Sequence, residues 1–130
     1  MKGITLQDVK QLAKGDFIRR GGNVVLYGSF GLGKTHLAIG LIQKLCERNY
    51  RCLFTSASSL IESLLEAKKE LKLSELWKKL DRYDLIACDE LGYIPESKAG
   101  ADLFFQFISQ RYERKSLLFT TNLTYSEWDK

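Results

Sequence analysis

Proline is nearly absent from this chain: among 130 residues there is one, Pro95. Internal repeats and low-complexity stretches are absent too, which sets aside repeat arrays and compositionally biased linkers. No apolar run reaches the roughly 20 residues that a membrane-crossing helix needs, so a span of that kind is excluded. The opening residues, Met1 to Asp8, contain no apolar core and carry an early acid, so they do not read as a secretion signal. Cysteine is sparse. Cys46, Cys52 and Cys88 are odd in number, spread out, and never spaced Cys-x-x-Cys. Cys52 and Cys88 fall in apolar runs, where a reduced thiol acts as a small hydrophobe, and the cytoplasm is the expected compartment.

What is present is ordinary in bulk. Hydrophobic residues make up 45% and charged residues 28%, a globular balance, and the length suits one domain with a real core. Twenty Lys and Arg against sixteen Asp and Glu leave a net charge of +4. That mild excess is compatible with a polyanionic partner without indicating one.

Local patterns place the elements. Val9–Arg19 carries apolar residues at helical spacing and reads as a short helix or lead-in, broken by Arg20-Gly21-Gly22-Asn23. Val24-Val25-Leu26-Tyr27 is a continuous apolar run, the mark of a strand buried on both faces. After a glycine-rich turn, Thr35–Arg48 repeats Leu37, Ala38, Leu41, Ile42 and Leu45 on one helical face, ending at Asn49-Tyr50. Cys52–Thr55 is a second strand, with Ser58 or Ser59 as the expected cap of a helix beginning at Leu60. That helical stretch runs to Leu80 with a break expected near Leu73-Ser74. Leu85–Cys88 and Leu117–Thr120 are further strands. Between them, Ala99–Arg114 places Leu103, Phe104, Phe107, Ile108 and Tyr112 on one face. Strands alternating with helices imply βαβ units on a parallel sheet, an α/β fold.

The first turn carries the most specific signal. Gly28-Ser29-Phe30-Gly31-Leu32-Gly33-Lys34-Thr35 satisfies G-x-x-x-x-G-K-[ST] at every fixed position, between a buried strand and an amphipathic helix. Glycines let successive amide N–H groups converge on phosphate oxygens, and the following helix turns its positive end to the same place. Lys34 then supplies a mobile charge to the β- and γ-phosphates of ATP, and the Thr35 hydroxyl is a candidate Mg²⁺ ligand. Phe30 stands where many such loops carry a small residue, at a variable position.

The strand Leu85–Cys88 runs into Asp89-Glu90. Buried carboxylates need a cation or donors, and Asp89 is expected to hold Mg²⁺ beside Thr35. Glu90 is the candidate for orienting and polarising an attacking water. A metabolite kinase, whose acceptor is a hydroxyl, does not need that acid; a hydrolase does. Asn122, after Thr120-Thr121, reads either as a polar strand cap or as an amide that helps hold that water. His36, next to Thr35, is placed around the nucleotide as a packing or supporting residue rather than an acid–base catalyst.

Other features have plainer readings. Lys68, Lys69, Lys72, Lys78 and Lys79 alternate with Glu62, Glu66, Glu70 and Glu75, which favours a solvated helix face over a DNA contact. Trp77 is expected to pack near Leu73 and Leu80, and Phe104 and Phe107 to be core. Phe17 and Ile18 are candidates for contact with adenine.

Taken together, Gly31 to Ala38 (GLGKTHLA), Tyr83 to Ile86, Asp89 to Pro95 (DELGYIP), Arg111 to Arg114 and Thr120 to Leu123 with Ser126-Glu127-Trp128 resemble the IstB-like AAA+ ATPases. The resemblance runs from about Phe17 to the C-terminus. It implies a P-loop three-layer αβα sandwich with strand order 5-1-4-3-2. Lys34 and Thr35 match the Walker A pair, Asp89 and Glu90 the Walker B pair, and Asn122 the sensor-1 asparagine. Members bind DNA, oligomerise with ATP and deliver a transposase to target DNA; helicase loaders of the DnaC type share most of these strings. The expected division is a lead-in over 1–22 and an ATPase core over 23–130. The family's fifth strand, arginine finger and lid have no counterpart after Asn122, and little of its N-terminal segment is present. The resemblance therefore implies a core fragment with weak or undetectable turnover, since hydrolysis in such assemblies draws on a neighbour's arginine.

Overall fold

The computed structural model describes residues 6–27, 31–92 and 97–121, with the side chains at 6–9, 27, 31 and 32 left out. Four strands, β1 (Val24–Tyr27), β2 (Cys52–Ser56), β3 (Leu85–Asp89) and β4 (Ser116–Thr121), form one parallel sheet in the order β1-β4-β3-β2. That is the 1-4-3-2 part of the order the resemblance implies; among the described residues there is no fifth strand. The helices are α1 (Leu6–Ala13), α2 (Asp16–Arg19), α3 (Gly31–Glu47), α4 (Ala57–Lys69), α5 (Leu73–Asp81) and α6 (Lys98–Arg111).

Strand alternation sends side chains to two separate cores. Leu85 and Ala87 of β3 and Leu118 of β4 pack with Phe17 and Ile18 of α2 and Ala38, Leu41 and Leu45 of α3. Ile86 and Cys88, with Leu117 and Phe119, pack on the other face against Leu60 and Leu64 of α4, Leu80 of α5, and Leu103, Phe104 and Phe107 of α6. The result is a three-layer αβα sandwich. Trp77 and Leu73 lie partly buried against the second core, as expected. Every residue of β3 and β4 is buried. The expectation that Val24–Tyr27 is buried on both faces fails, since Val25 is 39% exposed; β2 is half-buried throughout. These two strands lie at the ends of the described sheet and have one neighbour each.

Several element ends differ from the sequence reading. The lead-in is two helices, parted at Gly15, which takes a positive φ of 82°. α3 begins at Gly31 rather than Thr35, so its first turn lies inside the glycine-rich motif. Ser56, the last residue of β2, caps α4 by accepting a bond from the Ser59 amide, where Ser58 or Ser59 was expected as the cap. The break in the long helical stretch falls at 70–72, a turn earlier than Leu73-Ser74. α6 stops at Arg111, and Tyr112 is 63% exposed rather than part of the apolar face.

Three helices end alike. At Gly21, Asn49 and Leu71 the chain turns left-handed, and two amides reach back to the last carbonyls: Gly22 to Phe17 and Gly21 to Ile18, Tyr50 to Leu45 and Asn49 to Cys46, Lys72 to Ala67 and Leu71 to Lys68. Glycine and asparagine are the usual occupants of that position. Leucine is not, and Leu71 is also 93% exposed.

At the edge where β3 and β4 begin, Arg111 is buried and donates to the carbonyls of Leu80, Tyr83 and Ser116. It ties the end of α5 to both inner strands. Its Nε finds no partner among the described residues, and burial pushes its pKa down to about 10, which still leaves it charged at neutral pH.

Two substitutions should act in opposite directions in urea denaturation. Arg111→Met removes a guanidinium donor from three carbonyls, two of them in buried contacts, and is expected to lower stability by about 3 kcal/mol. Leu71→Gly loses almost no buried surface and relieves the left-handed strain, for a gain of about 0.5 to 1 kcal/mol after the glycine's extra unfolded-state freedom. An unchanged midpoint for either variant would contradict its assignment.

Candidate functional site

All four strands point their C-terminal ends to one rim of the sheet, and α3 starts at that rim. Gly31 and Leu32 form the first turn of α3, so the free amides of a helix N-terminus lie within the glycine motif. Gly33 is exposed, and a Cβ built there would meet no atom within 4 Å, so the space beside this turn is open. Lys34 is half-buried and His36 exposed. Position 36 faces away from the α3 core residues Ala38, Leu41 and Leu45. Gly28, Ser29, Phe30 and Asn122 lie outside the described residues.

Thr35 reaches across the rim. Its hydroxyl donates to the Asp89 carboxylate, 3.1 Å from Oδ1 and 3.2 Å from Oδ2. The motif and the acidic strand end are thus in direct contact, as the sequence spacing anticipated. Asp89 is 6% exposed, at the buried end of β3. It receives a second hydroxyl from Thr120, whose Oγ donates to Oδ1. Two hydroxyl donors on one carboxylate satisfy a group that would otherwise be costly to bury.

Glu90 is different. It is exposed, and its backbone turns left-handed with φ 59°, which ends the strand. That conformation costs a non-glycine residue about 1–2 kcal/mol, and two bonds hold it. The Glu90 amide donates to Thr120 Oγ at 2.8 Å, and the Leu91 amide donates to the Thr120 carbonyl at 2.8 Å. The two acids therefore separate: one carboxylate faces inward to hydroxyls, the other leaves the strand toward solvent.

Hydroxyl and carboxylate oxygens at the mouth of an anion-binding helix are hard donors, suited to a small divalent cation that keeps water and phosphate as its remaining ligands. Among the described residues no group of three or more His, Cys, Asp or Glu side chains is placed to cage a metal unaided. Cys88, one residue before Asp89, is buried, and burial pushes its thiol up to about 12, so it contributes only packing. Phe17 and Ile18, the candidates for adenine contact, are buried in the α3-side core. The lysines and glutamates at 62–79 are exposed, as expected of a solvated face, and among the described residues no helix is long and apolar enough to cross a membrane.

Sequence reasoning missed Thr120 as part of this site. The signal was available only through strand order: β3 and β4 are neighbours with Cys88 opposite Phe119, so one step further sets Thr120 beside Asp89.

A helix begun by a glycine-rich phosphate motif, next to an inner strand ending in an acid, on a parallel sheet ordered β1-β4-β3-β2, defines a P-loop nucleotide-binding fold of the AAA+ type. Solved structures agree on the fold. The DnaC helicase loader superposes with a TM-score of 0.80 at 24% identity, covering 95% of this chain and 75% of that one. Replication initiator DnaA bound to AMPPCP and single-stranded DNA superposes with a TM-score of 0.78 at 21% identity, covering 98% and 41%. The family model described as "IstB-like ATP binding protein" matches residues 1–130, and the chain belongs to that family. Its relatives include an insertion sequence ATP-binding protein of Sinorhizobium fredii, 37% identical over 98% of this chain and 43% of that protein. The insertion sequence IS21 ATP-binding protein of Pseudomonas aeruginosa is 38% identical over 97% and 48%. The chain spans less than half the length of these two relatives.

Proposed function

We propose that this chain is the ATP-binding and ATP-hydrolysing core of a helper protein for DNA transposition, which acts with a transposase on target DNA. The observation that carries the reading is the Thr35 hydroxyl on the Asp89 carboxylate, which unites the phosphate motif with the acidic strand end. Gly28, Ser29, Phe30, Gly31, Leu32 and Gly33 cradle the phosphates with backbone amides, Lys34 neutralises the β/γ charge, and His36 stands exposed on the following turn. Thr35 and Asp89 are the residues to hold Mg²⁺, which would neutralise charge on the β- and γ-phosphates. Glu90, leaving the strand on its left-handed turn, orients and polarises the attacking water, and Asn122 helps to hold that water.

The relatives at 37% and 38% identity are insertion-sequence proteins, and that supports transposition over helicase loading. The DnaC likeness, at 24% identity, supports the fold. DNA, the transposase and ATP-dependent assembly with further copies are the partners this reading assigns, with a neighbour's arginine required for fast turnover.

Thermal unfolding with ATP and Mg²⁺ tests the reading. Ligand at about 100 times Kd stabilises the folded state by about 2.7 kcal/mol, so the melting temperature should rise by several degrees. Lys34→Ala should abolish the rise. Equal shifts in both proteins would remove the assigned site.

A further inference from the structure

Thr120 is 2% exposed on an inner strand, and its hydroxyl has one proton to donate and lone pairs to accept with. The proton goes to Asp89 Oδ1, and the oxygen accepts the Glu90 amide at 2.8 Å. The same residue's carbonyl accepts the Leu91 amide at 2.8 Å. One side chain therefore touches both members of the acidic pair, each by a different half of the same hydroxyl. The direction is fixed as well: a carboxylate cannot donate and an amide N–H cannot accept, so the hydroxyl has one possible orientation.

We propose that Thr120 is a positioning residue of this site, holding the Asp89 carboxylate against Thr35 and locking the left-handed turn that carries Glu90 out of β3. The inference rests on the reading of Asp89 and Glu90 as the metal and water residues. Without the hydroxyl, Asp89 keeps, among the described side-chain hydroxyls, the Thr35 donor, which a bound cation would displace. Glu90 loses the acceptor that keeps a non-glycine residue in a disfavoured conformation.

The test separates positioning from simple packing by measuring ATP affinity with Mg²⁺ and with EDTA, in the whole chain, for wild type, Thr120→Val and Thr120→Ser. Valine keeps the shape and removes the hydroxyl. Its affinity in EDTA should match wild type, because the glycine cradle is untouched. The gain in affinity on adding Mg²⁺ should fall by about tenfold or more, the usual penalty for losing an outer-shell partner of a metal ligand. Serine should restore it. A valine variant with the full Mg²⁺ gain, or a serine variant as defective as valine, overturns the proposal. So does equal weakening in EDTA and Mg²⁺, which marks a general packing defect. A wild-type chain that binds no nucleotide removes the ATP reading and this inference with it.

A second readout needs no variant to fold. The Glu90 amide of wild type should be protected from hydrogen exchange although Glu90 is exposed; exchange at an unprotected rate overturns the proposal.

Discussion

Everything assigned to this molecule depends on a threonine hydroxyl meeting an aspartate carboxylate across the rim of a sheet. Thr35 and Asp89 are 54 positions apart, and their contact requires that β1 and β3 run parallel and end at the same edge. It requires, too, that β4 lie between them, since that spacing lets α3, which follows β1, deliver Thr35 to Asp89. The contact is also chemically suggestive. A buried carboxylate held by two neutral hydroxyls is satisfied in the absence of a cation, and both kinds of oxygen suit a hard metal.

The rest of the architecture serves to keep that rim in place. The two inner strands, fully buried, feed two cores with alternate residues, so neither can slip by one position without turning both cores inside out. Arg111 secures the opposite edge, where the inner strands begin, by gathering three carbonyls with one guanidinium. Stability is invested at one end of β3 and β4, and polar groups with chemical uses are gathered at the other.

Much of this was legible in the sequence, for identifiable reasons. Strands in parallel sheets read as unbroken apolar runs, and all four were found within a residue or so of their observed ends. The glycine motif and the acids after Cys88 carry their chemistry in their spacing. What stayed hidden depends on neighbours that the chain brings from afar. Thr120 looked like one more β-forming residue until strand order put it beside Asp89. Arg111 drew attention only as part of the Arg111–Arg114 string, and its burial against three carbonyls was not visible from spacing. Leu71 falls inside the helical stretch expected to run to Leu80, and it is a left-handed cap open to solvent. Ser56 escaped notice as a cap because it also ends a strand, and sequence patterns assign such a residue to one element only.

The most direct measurement is a crystal structure with Mg²⁺ and a non-hydrolysable ATP analogue. The account predicts the triphosphate along Gly28–Thr35 and the metal about 2.0–2.1 Å from the Thr35 hydroxyl, with the Asp89 carboxylate bound to it directly or through one water. A triphosphate seated elsewhere, or a metal that ignores both Thr35 and Asp89, would contradict it.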